Sequence, residues 1–243
     1  MALLERRLNF RTIRIKKINS IMKYPIILID NGHGRNTPGK CSPDASNGLI
    51  HSPLYFREYS WARKCAQAIA SVLTFEGYTA FLLVKEEEDI PLQERTNRVN
   101  AYCRTYGKEN VILVSVHANA AKSDRQWHEA RGWCVYTSPG KTKSDKLATC
   151  LYEAAKEELE HAGYTQQFQQ GAKQKPIRTD FSDGDADYEA NFWMLTKSNC
   201  VAVLTENLFQ DNKEDVAFLK SDKGLGAITE LHVKGIKEFI KSL

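Results

Sequence analysis

Three short runs in this 243-residue chain, Ile26 to Ile29, Val111 to Val116 and Val201 to Thr205, are apolar almost without interruption. A strand with one wet face alternates apolar and polar residues, so runs that lack the alternation call for strands covered on both sides. Between them lie stretches with helical spacing: Trp61, Cys65, Ile69, Val72 and Leu73 within 58–76, then Leu92, Val99, Cys103 and Tyr106 up to Gly107, then Leu147, Leu151, Ala154 and Leu159 within 144–162. Shorter strands are predicted over 78–84 and 133–136, and amphipathic helices over 211–220 and 225–243. Strands that alternate with helices give an α/β fold: a single domain with a mostly parallel twisted sheet and helices on both faces. Residues 165–189, rich in Gln, Asp, Gly and Lys and without a clean period, are predicted to form a loop.

Composition narrows the class. With 42% hydrophobic and 26% charged residues the chain is neither disordered nor fibrous, and no apolar run approaches the ~18 residues of a membrane span. Seven Arg and Lys fall within the first 23 positions, mixed with Leu and Ile. That segment lacks the apolar stretch and cleavage site of a secretory signal. Residues 1–24 are therefore expected to be a basic, flexible extension ahead of a catalytic domain over 25–243, in a chain made in the cytoplasm that binds no nucleic acid. The six cysteines form no C-x-x-C pair and are expected to be small buried hydrophobes.

In sheets of this kind, ligands gather outside the carboxyl ends of the strands. His33 follows the first apolar run, His117 the second and Glu206 the third. Gly32 and Gly34 flank His33 and permit a tight turn. Two neutral imidazoles and one carboxylate form a common ligand set for catalytic zinc, with the fourth position left open. Glu58, which opens a helix after a loop long enough to fold back over His33, is the best third ligand. Glu206 is then the carboxylate that moves the proton. Each residue has a plainer alternative: a hydrogen-bonded rim histidine, a Glu58 that complements a helix dipole, or a Glu206 paired with an arginine such as Arg95. His51 reads as a solvated loop residue, His128, His161 and His232 as structural or exposed, and Trp127, Trp133 and Trp193 as core before sugar-stacking platforms.

Taken together, these residues resemble the zinc-dependent N-acetylmuramoyl-L-alanine amidases of bacterial cell division, spore lysis and phage endolysins. The likeness runs from Ile26 to the C-terminus: the first strand with Gly32-His33-Gly34, Glu58, Leu92 to Arg95 with Asn100, Val114 to Ala120, Gly132 with Val135 and Tyr136, and Val203 to Phe209 with Asn212. The resemblance implies Zn2+ held by His33, Glu58 and His117, Glu206 as catalytic residue, and hydrolysis of the amide between the lactyl group of N-acetylmuramic acid and L-alanine in peptidoglycan. Asn119 and Arg95 are read as substrate-binding. Three departures stand out: Asn31 where proline is usual, a longer loop from His33 to Glu58, and Leu208 in place of a glycine. The expected protein is a monomer that reaches the cell wall after holin-type release or lysis. A zinc carboxypeptidase or aminopeptidase, or a wall-binding module without turnover, are the competing readings.

Overall fold

Side-chain alternation along the first strand sets up the layers. In the computed structural model, which describes residues 24–168 and 173–243, strand β1 (Ile26–Asn31) is fully buried. It sends Ile27 and Ile29 into one hydrophobic cluster and Ile26 and Leu28 into another. Both faces are thus covered, as its unbroken apolar run requires.

The remaining elements follow in order: helix α1 (Pro43–Ser46), α2 (Glu58–Phe75), strand β2 (Thr79–Leu82), α3 (Leu92–Tyr106), β3 (Val111–Asn119), β4 (Cys134–Thr137), α4 (Lys143–His161), β5 (Tyr188–Glu189), α5 (Trp193–Lys197), β6 (Val201–Phe209), α6 (Lys213–Lys220) and α7 (Asp222–Lys241). The sheet order is β2-β1-β3-β6-β4-β5. Strands β2, β1, β3 and β6 run parallel, β4 is antiparallel to β6, and β5 is parallel to β4. On one face α2, α4 and α7 pack against the sheet; on the other lie α3 and the short α5.

Several predicted boundaries move for physical reasons. Strands β3 and β6 extend past the apolar runs because parallel pairing continues to His117↔Glu206, with a register break before Asn119↔Phe209. His117 and Glu206 therefore sit within paired strands, not after them. Helix α7 starts at Asp222, earlier than its apolar stripe, because the Ser221 hydroxyl accepts the Gly224 N–H and caps it. The 165–189 stretch is not wholly loop: it holds a 3-10 turn over Thr165–Gln167, a bridge from Ile177 to Trp133, and β5. Residues 1–23 and 169–172 lie outside the described residues. Trp133 is core, whereas Trp193 stays 39% exposed. All six cysteines are free; Cys65, Cys103 and Cys134 are buried and the others half-buried. No helix among the described residues is long and apolar enough to cross a membrane.

Candidate metal centre and proton-handling carboxylate

The turn after β1 is built around His117. A Cβ on Gly32 would lie 2.4 Å from the His117 imidazole, so only glycine leaves room for that ring. The Gly32 N–H reaches the Val116 carbonyl at 3.0 Å and ties the turn to β3. His33 then takes a left-handed conformation, φ 62°, which costs a non-glycine residue energy. Arg95 Nη2 and Arg63 Nη1 donate to its carbonyl at 3.2 and 3.3 Å.

Glu58 is the meeting point. It opens α2, its N–H donates to the Lys40 carbonyl at 3.1 Å, and it is 1% exposed. Its Oε1 lies 3.4 Å from His33 Nε2 and 3.1 Å from His117 Nδ1, and accepts the Ala118 N–H at 3.1 Å. Gln210 Nε2 donates to Oε2 at 3.4 Å. The two rings stand edge-on, with centroids 5.0 Å apart. One donor atom from each of His33, Glu58 and His117 falls within 4.8 Å of the others, so the group can hold a metal ion.

The electrostatics suit a divalent cation. A buried carboxylate is costly without a compensating charge, and among the described residues Glu58 has the two imidazoles within ion-pair distance, with the Lys40 charge acting from farther off. Burial, only partly offset by Glu58, lowers His33 to about 4, so its lone pair is free at neutral pH. Burial is the largest single influence on His117 and opposes its protonation, but the hydrogen bond and charge of Glu58, together with the charges of Glu206 and Asp30, outweigh it and the net shift is upward. For Glu58, burial works upward while His117 and His33 pull it down, and the net is lowered. Two imidazole nitrogens and a carboxylate oxygen are the donor set that zinc favours.

Glu206 faces this group from the next strand, in register with His117 and opposite Cys134 of β4. Burial first, then the Glu58 charge, pushes its carboxyl up to about 7, with His117 acting in the other direction. Its Oε2 is buried with no hydrogen-bond partner. A carboxyl that titrates near neutrality can accept and return a proton at working pH.

Four of the six expected site residues thus come together, while Arg95 and Asn119 have other partners. Arg95 is 2% exposed and uses all five N–H donors inside the protein: Nε to the Ile90 carbonyl, Nη1 to Asp30 and the Asn31 carbonyl, Nη2 to Asp89 and the His33 carbonyl. It braces the His33 turn from behind and has nothing left for substrate; neither is it the partner of Glu206. Asn119 stays half-buried at the end of β3, with its Oδ1 accepting the Ala120 N–H at 2.8 Å. His51 is exposed, His128 pairs with Asp124, His161 is exposed, and His232 is fully buried under β6. Sequence reasoning missed Gln210 and Lys40. Gln210 follows β6 by one residue, a position that could have marked it; the Lys40 charge acts on His33, Glu58 and Glu206 from the long loop.

Fold and site together define a class: an α/β protein with a candidate metal centre at the carboxyl edge of a mostly parallel sheet. The chain belongs to the N-acetylmuramoyl-L-alanine amidase family, whose model matches residues 27–238. It is 27% identical over 216 residues to the endolysin of Bacillus phage SPP1, covering 88% of this chain and 66% of that protein. It is also 25% identical over 214 residues to the sporulation-specific N-acetylmuramoyl-L-alanine amidase of Bacillus subtilis, covering 87% and 67%. The chain thus spans about two thirds of the length of these relatives. Among solved structures, the N-acetylmuramoyl-L-alanine amidase of Clostridium difficile 630 shares the fold with a TM-score of 0.66 at 20% identity, over 91% of this chain and 99% of that one. The catalytic domain of CwlV from Bacillus (Paenibacillus) polymyxa var. colistinus superposes with a TM-score of 0.64 at 17% identity, over 89% and 98%.

Proposed function

We propose that this chain is a zinc-dependent peptidoglycan hydrolase that cuts the amide between the lactyl group of N-acetylmuramic acid and L-alanine of the stem peptide. The observation that carries this reading is the convergence of His33, Glu58 and His117 beside a carboxyl whose pKa sits near 7. Bound by the three ligands, zinc would supply a Lewis acid that polarises the carbonyl and acidifies a water. Glu206 would take a proton from the attacking water on a carboxylate oxygen and return it to the leaving amine of L-alanine. Asn119, at the rim, is the proposed substrate contact. The catalytic unit spans 25–243, acts as a monomer on the wall after release from the cell that makes it, and needs no nucleic acid.

Digestion of purified peptidoglycan by the zinc-loaded protein, with and without chelator, tests the proposal. New L-alanine amino termini, with intact glycan parted from intact stem peptide, are the expected products. Release of single amino acids would identify a peptidase instead. Glu206→Gln is expected to lower kcat by at least ~100-fold while metal content stays at the wild-type level; undiminished turnover would remove Glu206 from the reaction.

A further inference from the structure

Two of the six cysteines meet away from the candidate metal centre. Cys103 lies in the last turn of α3, and Cys200 directly precedes β6. Both pack into the hydrophobic cluster on that face of the sheet. The Cys200 thiol donates a hydrogen bond to the Cys103 sulfur, so the two side chains face one another, as a disulfide requires. Asn100, one turn earlier on α3, holds the opposing backbone in place. Its Nδ2 donates to the Lys197 carbonyl and its Oδ1 accepts the Asn199 N–H, each at 2.8 Å. The segment that carries Cys200 is thus fastened to the helix that carries Cys103.

Access and charge both favour reaction. The two thiols line a cavity of about 580 Å³ that also takes in Arg104 and Lys108. Cys103 is 7% exposed and Cys200 is half-buried. The hydrogen bond from Cys200, helped by Arg104 and opposed by burial, holds the Cys103 thiol below its ordinary value. The same bond, together with burial, pushes the Cys200 thiol up. Reactive cysteines occupy open, electropositive surroundings of this kind. Cys65 and Cys134 do not: burial pushes each up to about 12.

We propose that Cys103 and Cys200 form a site of reversible disulfide formation, with a small disulfide of the glutathione type as oxidant. The Cys103 thiolate attacks one sulfur of the small disulfide, forms a mixed disulfide and expels one thiolate. Cys200 then gives up its proton and attacks the Cys103 sulfur, which closes the protein disulfide and expels the second thiolate. The two protons lost by the protein end on the two small thiols, and the two electrons go to the small disulfide. In a reducing solution the pair stays open, and in an oxidising one it closes. The cross-link ties the end of α3 to the start of β6, at the edge of the sheet opposite the candidate metal centre. It does not depend on the amidase reading.

The test equilibrates the reduced full chain with glutathione disulfide, traps it with acid, alkylates it and maps the peptides by mass spectrometry. A peptide cross-linked through Cys103 and Cys200, which dithiothreitol removes, is the expected product. In Cys200→Ser the reaction should halt at its first step, with glutathione retained on Cys103. Because the cross-link closes a loop of about 100 residues, oxidised wild type should melt roughly 5–15 °C above the reduced form. Cys200→Ser should lack that shift. The site is overturned if Cys103 and Cys200 stay open to alkylation, if either keeps glutathione without a cross-link in wild type, or if either pairs with another cysteine. Should Cys200→Ser fail to fold, the wild-type peptide map decides alone.

Discussion

Arg95 shows how a side chain with every donor used inside the protein can brace a site. Its five donors span both sides of the Gly32 turn, from the Asn31 carbonyl to the His33 carbonyl. Arg95→Lys keeps the charge but loses the planar fork. Zinc affinity measured by competition with a chromogenic chelator is expected to drop by ~10-fold or more, as it does when supports of metal ligands are removed; unchanged affinity would make Arg95 a fold residue only. Leu208 is a second case. It occupies φ 65° where the family resemblance leads one to expect glycine, yet its side chain is fully buried. Leu208→Ala loses packing and keeps the backbone cost, whereas Leu208→Gly loses packing and relieves it by about 1 kcal/mol. Urea unfolding should therefore find the glycine variant the more stable of the two, against the usual order. The sequence marked Leu208 as a departure, but nothing in it revealed that the conformation had been kept.

At the scale of elements, β6 and α7 are joined by a buried polar link just before Glu206. His232 Nδ1 donates to the Ile228 carbonyl at 2.6 Å, so Nε2 is left to accept the Thr205 hydroxyl at 2.9 Å. Burial lowers His232 to about 4. The unfolded chain, with an ordinary histidine near 6.5, binds the proton more readily, so this group costs stability as pH falls from 6.5 toward 4. Its share is about 2 kcal/mol at pH 5, and His232→Gln should flatten the stability profile over that window in unfolding experiments. From sequence His232 read as structural or exposed, and its burial makes it structural. The apolar runs themselves made β1, β3 and β6 legible, since length and lack of alternation are local signals. The antiparallel course of β4, the two-residue β5 and the short α5 were not, because each depends on neighbours distant in the chain.

For the whole molecule, the candidate metal centre lies where four separate segments meet. His33, Glu58, His117 and Glu206 come from three strand ends and one helix start, and only the topology brings them together. Placement after apolar runs made His33, His117 and Glu206 legible, and the start of a helix after a long loop made Glu58 so; the orientation of Arg95 and the contact of Gln210 with Glu58 were not, because inward and outward side chains of one type look alike in sequence. If the proposed metal is bound, its removal should leave Glu58 buried between imidazoles without a full counter-charge. Since a ligand present at 100 times its Kd adds about 2.7 kcal/mol, chelation should lower the melting temperature by roughly 5–10 °C in calorimetry. An unmoved transition would mean that no ion contributes to the folded state.

The long loop ahead of α2 serves two masters. Its Lys40 carbonyl anchors the first N–H of the helix that presents Glu58, and the residues on either side of Lys40 wall a cavity of about 270 Å³ that the turn over 120–126 closes from across. A lineage, or a designer, that swaps this loop to reshape the cavity will disturb the placement of Glu58 in the same stroke. Changes of cavity shape should therefore arise by exchanges on the opposite bank, over 120–126, before they arise in the loop.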